Sequence, residues 1–381
     1  MKYYRDTYLV INLDHVMHNI THLLALSKDM TLMAVIKADS YGHGALMIAK
    51  TLLDAGVSYF AVATVDEAIE LRRAKITCPI LVLGGIPIRD LNIVSYYQLS
   101  ISVHSLSWVK EAIATYHGPR INVHLKLDTG MGRLGFTEKD SFLEAYHELN
   151  HSEHWQIEGI FSHLATSEEI DDTYYQMQIN RFEAFLEGLD LANLFIHIGN
   201  SAGLVKPKPA NVNMVRVGLM INGQKPDDNI NLGFELKQSM ALYSSLIQVK
   251  HVPKGEKLSY NGIYQTEEDE YIGTIPIGYA DGYDRRLQAG RVYIDGYYCP
   301  IVGRICMDYT LVKLPMNFPE GTLVELIGEH ITIDEYADKI KTNNYQATCL
   351  FSDRLPRKYL KNGKIIQVSN RRLLSSRGGN K

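Results

Sequence analysis

Cysteine is scarce in this sequence: four residues in 381, at Cys78, Cys299, Cys306 and Cys349, with no C-x-x-C pair among them. Scattered among mostly apolar neighbours, they suit buried free thiols rather than a disulfide framework or zinc site, and no metal is expected. Long hydrophobic runs are missing too. No stretch approaches the ~20 apolar residues of a membrane span. Met1 to Asn19 lacks the apolar core of a signal peptide, so no membrane and a cytoplasmic location are expected. Nor is there an excess of one charge. Against 39 lysines and arginines stand 43 aspartates and glutamates, and a net charge of -4 gives nucleic acid little to hold. Low-complexity tracts and short-period repeats are absent. What remains is a globular mixture, 46% hydrophobic and 22% charged, which excludes collagen-like and disordered readings; the length allows two or three domains.

Eight short apolar runs rich in β-branched residues recur at 32–38, 59–64, 80–83, 99–103, 121–127, 157–164, 194–198 and 214–221. Between the first two, Ala45, Leu46, Ile48, Ala49, Leu52 and Leu53 make an amphipathic stripe that stops at Gly56, as a helix stops at a left-handed cap. Continuous runs suit strands covered on both faces, the situation of parallel strands with helical crossovers. Eight such units favour a closed (β/α)8 TIM barrel over an open doubly wound sheet. From about Glu235 the texture changes. Segments 242–252, 271–277, 291–305, 309–314 and 323–327 read as strands, and Asp295-Gly296 inside the third is a hairpin signal. The expected fold is α/β: a barrel over residues 1–234, then a mostly antiparallel β-rich C-terminal domain over residues 235–381.

In such a barrel the reacting groups lie at the carboxyl ends of the strands. Lys37 closes the first run, where partial desolvation would favour the neutral, nucleophilic amine; a lysine snorkelling to solvent fits the same position. After the fifth run, three glycines in Gly130-Met131-Gly132-Arg133-Leu134-Gly135 let the loop bend, and Arg133 offers a planar fork for a carboxylate; a glycine-rich surface turn is the plainer alternative. His163 ends the sixth run, as a base or a hydrogen-bonded structural residue. Gly199-Asn200-Ser201-Ala202-Gly203 follows the seventh and Arg216-Val217-Gly218 lies in the eighth, the recurrent phosphate position of this barrel. An amine at the first strand and a phosphate cradle at the last two fit pyridoxal 5′-phosphate, held as a Schiff base.

Four segments carry a more specific likeness: Ala34-Val35-Ile36-Lys37-Ala38-Asp39-Ser40-Tyr41-Gly42-His43-Gly44, His124 through Gly135, Gly278-Tyr279-Ala280-Asp281-Gly282 and Gly303-Arg304-Ile305-Cys306-Met307-Asp308. With these, in order, the chain from about Tyr8 to Arg357 resembles bacterial alanine racemase, a pyridoxal-phosphate enzyme that supplies D-alanine for peptidoglycan. The division at 234/235 and the reading of the sheet draw on this resemblance as well as on texture. The resemblance implies that Lys37 carries the cofactor and serves as one base, and that Tyr260 is the other, on the opposite face of the substrate. It implies Arg216 at the pyridine nitrogen, oriented by His163, and phosphate contacts from Tyr41, Ser201, Gly218 and Tyr345 with backbone from Asn200 and Leu219. Arg133 and the Met307 N–H would take the substrate carboxylate, and Lys126 would be carbamylated. Tyr279, Arg285 and Arg304 would line the substrate entryway. It also implies a homodimer in which Tyr260, Met307 and Tyr279 act in trans.

Some positions depart from the family pattern. Asn261 stands where glycine is usual, Asn222 lies in a segment that lacks a usual tyrosine, and Ser167 and Glu168 replace a small apolar residue and aspartate. Competing functions are racemisation of serine or a broader range of amino acids, a non-catalytic carrier of the cofactor, and a fold-related decarboxylase. The carrier lacks a β domain, and Tyr260 and the Met307 segment argue against it. A glycosidase would need two facing carboxylates, which the strand ends do not offer.

Overall fold

The computed structural model describes residues 3–374. The chain forms two compact units, one of Val16–Ser40 and Ala45–Lys237, the other of Met1–His15, Tyr41–Gly44 and Gln238–Lys381. The contiguous division expected from sequence, 234/235, lies near the last of the four points at which the chain passes between the units, Lys237 to Gln238. The first fifteen residues nevertheless group with the C-terminal part, because strand β1 (Tyr8–Asn12) pairs there.

In the first unit, β2 (Thr31–Val35), β3 (Tyr59–Val62), β4 (Ile80–Val82), β5 (Ser100–Val103), β6 (Ile121–Lys126), β7 (Trp155–Phe161), β8 (Phe195–His197) and β9 (Met214–Val217) make one parallel sheet. Its order is β8-β7-β6-β5-β4-β3-β2-β9. The seam between β8 and β9 is drawn together by Asn213 N–H to Ile196 O and Arg216 N–H to Gly199 O, both 3.1 Å. The Asn213 side chain adds two bonds there, accepting from Ile196 N–H at 2.9 Å and donating to Leu194 O at 2.8 Å. The result is a nearly closed (β/α)8 barrel, as expected.

Each expected apolar run falls on one of these strands. Strands β3, β4, β5 and β9 are buried along their whole length, which is why they read as continuous rather than alternating runs. Most strands stop before the apolar run does, and the remaining residues enter the loops at the barrel mouth. Met33, Val35, Tyr59, Ala61, Leu81 and Met214 pack together in the core. Burial of the methionine, valine and leucine side chains among them is worth about 1.5–3 kcal/mol each.

The second unit is built on a ten-stranded sheet, with β1 between an antiparallel neighbour, β10 (Met240–Ser245), and a parallel one, Arg357–Lys361. The other pairings are antiparallel. The expected hairpin is present: Asp295 and Gly296 have φ of 42° and 93°, and Ile294 lies opposite Tyr297. The expected strand 242–252 is instead two, Met240–Ser245 and Gln248–Val252, which pair with different partners in the same sheet. Strand β1 escaped the sequence reading because its five residues alternate between half-buried and buried, a short pattern with nothing distinctive around it. Among the described residues no helix is long and apolar enough to cross a membrane.

Because the seam leans on one side chain, Asn213→Ala should lower barrel stability by about 1–3 kcal/mol. A denaturation midpoint equal to that of the parent would show that the seam closes without it.

Candidate active site

Lys37 lies one residue beyond Ile36, which follows β2, and the chain then does something rare. Ala38, Asp39, Ser40 and Tyr41 have φ of 51°, 55°, 51° and 53°, a left-handed turn made entirely of L-residues with side chains. Each such residue costs roughly 1–2 kcal/mol, so neighbouring groups must hold the turn in place. Ser40 N–H donates to Ile36 O at 2.9 Å, Ala45 N–H to Asp39 Oδ1 at 2.8 Å, and the Asn222 amide to Ser40 O at 3.2 Å. Asn222, a departure from the family pattern, thus supports the lysine-bearing loop.

Arg216, on β9, is almost fully buried. Its Nη1 donates to His197 Nδ1 at 2.7 Å and His197 O at 3.3 Å; its Nη2 donates to Ser162 O at 2.7 Å, His163 Nδ1 at 3.1 Å and Ile198 O at 3.3 Å. Nε–H takes part in none of these bonds. Burial, then the charge of Arg133, pushes this guanidinium down to about 9. His163 is held well below the usual imidazole range, first by burial and then by Arg216, Lys126, Arg133 and Lys37, whose charges all reach it. His163 is therefore neutral and accepts from Arg216.

The second imidazole partner, His197, starts a buried chain. With Nδ1 accepting from Arg216, its hydrogen must sit on Nε2, which points to His124 Nδ1 at 2.9 Å. The His124 hydrogen then sits on Nε2, 3.2 Å from Glu158 Oε2, where Ser100 and Tyr59 hydroxyls also donate at 2.6 and 2.8 Å. Burial pushes Glu158 up, but the bonds from His124, Ser100 and Tyr59 outweigh it and hold the carboxyl below its usual range. His197, His124 and Glu158 were not singled out from sequence as site residues. Their apolar neighbours on β8, β6 and β7 make them look like ordinary strand residues.

Lys126 closes β6 in a buried position, with Nζ 4.9 Å from the centre of the Phe161 ring. Burial, then Arg216 and Arg133, pushes its amine down to about 8. Beyond it, Asp128 shapes the glycine-rich loop by accepting from Gly130 N–H and Gly132 N–H at 3.0 Å and from Arg133 N–H at 2.9 Å. Asp128 so fixes the backbone from which the exposed Arg133 projects. An aspartate ahead of Gly-x-Gly was the signal available in the sequence.

The loops after β8 and β9 meet where Gly218 N–H donates to Ser201 Oγ at 3.2 Å. Asn200 Oδ1 accepts from Gly203 N–H at 2.9 Å and from the buried Ser167 hydroxyl at 2.7 Å, so Ser167 braces this loop from beneath. Leu219 begins a short 3-10 turn, Leu219–Asn222. A hydroxyl beside a backbone N–H, a basic strand-end amine and a guanidinium with Nε–H outside its protein bonds form a donor set that fits the phosphate, aldehyde and ring nitrogen of pyridoxal 5′-phosphate.

In the other unit, the Tyr41 phenol is pushed well up by burial and, to a lesser extent, by Cys349 and Tyr345. Tyr260 is 64% exposed on a 3-10 turn between Ser259 and Asn261, both at φ 63°; asparagine tolerates this left-handed backbone better than most residues with a side chain. Ser259 ties this turn to Arg304, donating to its carbonyl at 2.8 Å and accepting from its N–H at 2.9 Å. Tyr279 N–H donates to Cys306 O and Ala280 N–H to Met307 O, both at 3.1 Å, so two sequence motifs become one backbone contact. A Cβ on Gly278 would come within 2.2 Å of Cys306 O, so that contact requires glycine. Arg285 lies exposed on another short turn, Arg285–Leu287.

The chain matches two family descriptions, "Alanine racemase, N-terminal domain" over residues 11–226 and "Alanine racemase, C-terminal domain" over residues 239–359. It is 42% identical to an alanine racemase of Halalkalibacterium halodurans, over 97% of this chain and 98% of that one. It is 41% identical to an alanine racemase of Geobacillus stearothermophilus, over 97% of each. A solved alanine racemase of Bacillus anthracis with bound L-Ala-P superposes with a TM-score of 0.93 at 37% identity, covering 99% of this chain and all of that one.

The Glu158 linkage has a definite sign. Its folded pKa is depressed, so the stability it confers is complete above the unfolded value of about 4.3 and is lost as pH falls through the lower folded value. Glu158→Gln should therefore cost about 1–3 kcal/mol near neutral pH, and the gap should close in acid. Denaturation midpoints of the two proteins against pH provide the check; a gap that stays constant into acid would mean that the charge on Glu158 is immaterial.

Proposed function

The chain belongs to the alanine racemase family, and from that membership we propose the part each residue plays in interconverting L- and D-alanine with pyridoxal 5′-phosphate. The observation that carries the assignment is the set of groups at the carboxyl ends of the barrel strands: Lys37 after β2, His163 after β7, Ser201 after β8, and Arg216 and Gly218 at β9. The cofactor, when bound, draws electrons from the substrate so that the proton on Cα becomes acidic.

Lys37 anchors the cofactor and, at Nζ, takes or returns the proton on one face of the substrate. Tyr260 Oη does the same on the opposite face, which inversion requires. Arg216 presents Nε–H to the ring nitrogen, while His163 and His197 hold its other donors. A guanidinium at about 9 stays cationic near neutral pH and does not readily give up its proton, so beside the ring nitrogen it would leave a bound cofactor a weaker electron sink. Ser201, Gly218, Leu219, Asn200, Tyr41 and Tyr345 bind the phosphate. Arg133 and the Met307 N–H orient the substrate carboxylate, and Tyr279, Arg285 and Arg304 line the way in.

Lys126 is carbamylated in this reading. An amine pushed down to about 8 is partly neutral at cytoplasmic pH, and only the neutral form adds carbon dioxide, losing a proton as the N–C bond forms. The resulting anion would hold Arg133 by a charge-assisted bond. The working form is a cytoplasmic homodimer in which Tyr260, Met307 and Tyr279 act on the barrel of the second copy. The exposure of Tyr260 and of Met307, 64% and 52%, supports this reading, since an aromatic base and a methionine left in water are suited to a partner.

Solvent deuterium exchange at Cα of L- and D-alanine, with serine for comparison, tests the reaction. Tyr260→Phe should slow exchange from one enantiomer by about a hundredfold or more with cofactor still bound; equal exchange of both enantiomers at the parental rate would remove Tyr260 as a base. Lys37→Ala should lose the visible absorbance of the lysine-bound cofactor, and its persistence would remove Lys37 as the anchor. For Lys126, intact mass under carbon dioxide should gain one carbon dioxide as pH rises past about 8. An unmodified chain under those conditions would rule the carbamate out.

A further inference from the structure

The left-handed turn after Lys37 begins at Ala38, and a single carboxylate meets its first N–H. Ala38 N–H donates to Glu67 Oε1 at 2.7 Å, while Glu67 Oε2 accepts from Ala63 N–H at 2.7 Å and Thr64 N–H at 3.2 Å. One side chain thus bridges the segments that leave two neighbouring strands, β2 and β3. Glu67 sits in the first turn of the helix Val65–Arg73, where Thr64 Oγ accepts its N–H at 3.3 Å to complete a capping box.

Capping explains only part of this arrangement. A capping box needs the Thr64 N–H bond, which is the longest of the three; the two short bonds go to Ala38 and Ala63, and neither belongs to the helix. Hydrogen bonds from N–H to an ionised carboxylate are about twice as strong as neutral ones. The Ala38 N–H shares a rigid peptide plane with the Lys37 carbonyl, so fixing that N–H fixes the backbone rotation from which the Lys37 side chain departs. Without this anchor, Ala38 at φ 51° could return to the ordinary right-handed region and swing the plane with it.

We propose that Glu67 is a positioning residue for Lys37, its carboxylate clamping the peptide after the lysine to the end of the adjacent strand so that the amine is aimed before cofactor arrives. The inference rests on the reading of Lys37 as the cofactor anchor.

Two substitutions separate the clamp from the cap. Glu67→Gln retains a side chain that serves a capping box equally well. Its amide has only one acceptor oxygen, so an NH2 group must face either Ala38 or Ala63. Thr64→Ala breaks the cap and leaves the carboxylate. The full chain, stripped of cofactor, is mixed with pyridoxal 5′-phosphate; capture is followed by absorbance, and borohydride-trapped adduct is mapped to Lys37 by mass spectrometry. Glu67→Gln should capture about ten- to a hundredfold more slowly than the parent, whereas Thr64→Ala should capture at the parental rate despite a lower thermal midpoint. Glu67→Asp, which keeps the charge but is one methylene too short for both bonds, should also be slow, and serves if the glutamine variant does not fold. Capture by Glu67→Gln at the parental rate, or equal slowing by Thr64→Ala, overturns the proposal. Absence of a Lys37 adduct in the parent would instead overturn the functional reading, and this inference with it.

Discussion

A guanidinium buried inside a barrel cannot stand alone, and much of the first unit is arranged around that requirement. Removing a charge from water costs several kcal/mol unless hydrogen bonds replace the lost solvent. Arg216 meets the requirement with backbone carbonyls from the ends of β7 and β8 and with two neutral imidazoles. Those imidazoles must be neutral to accept its bonds, and burial together with the surrounding cations keeps them so. Through His197 and His124 the chain of donors ends on the carboxylate of Glu158, which supplies negative charge without touching the arginine.

The same cluster of positive charge governs Lys126. Its amine would be an ordinary cation at a strand end but for burial and for Arg216 and Arg133, which together make the neutral form accessible near physiological pH. One electrostatic setting thus determines two properties: an arginine whose partners are neutral acceptors and a lysine whose amine is pushed down to about 8. The chemistry follows from crowding cations in a place with little water, not from any one of them.

A second constraint is conformational. The turn that carries Lys37 runs through four left-handed residues, none of them glycine, and it persists because side chains from elsewhere in the barrel unit, Glu67 and Asn222, bind its peptide groups. In the other unit Ser259 plays a comparable part, tying the turn that presents Tyr260 to Arg304. The two proposed bases are thus each presented from left-handed backbone that a side-chain hydrogen bond ties to a segment distant in sequence.

Amino-acid order pointed to the barrel in two ways: parallel strands covered on both faces leave continuous apolar runs that survive without any knowledge of contacts, and the motifs that resemble alanine racemase imply the same fold. It determined the Asp295-Gly296 hairpin for the same local reason, the left-handed backbone those residues tolerate. It also supplied Lys37 and His163 as candidates, since each stands at the end of a run, and Arg216 as a charged residue inside one. Tertiary structure alone decided that β1 joins the C-terminal sheet, that His197 and His124 extend the arginine's hydrogen bonds to Glu158, and that Glu67 reaches Ala38. Those choices depend on strand order and register, which bring Tyr59 and Glu158, 99 positions apart, within 2.8 Å. A hydrogen bond between distant residues leaves no periodic trace in a chain; only the packing that brings donor to acceptor creates it.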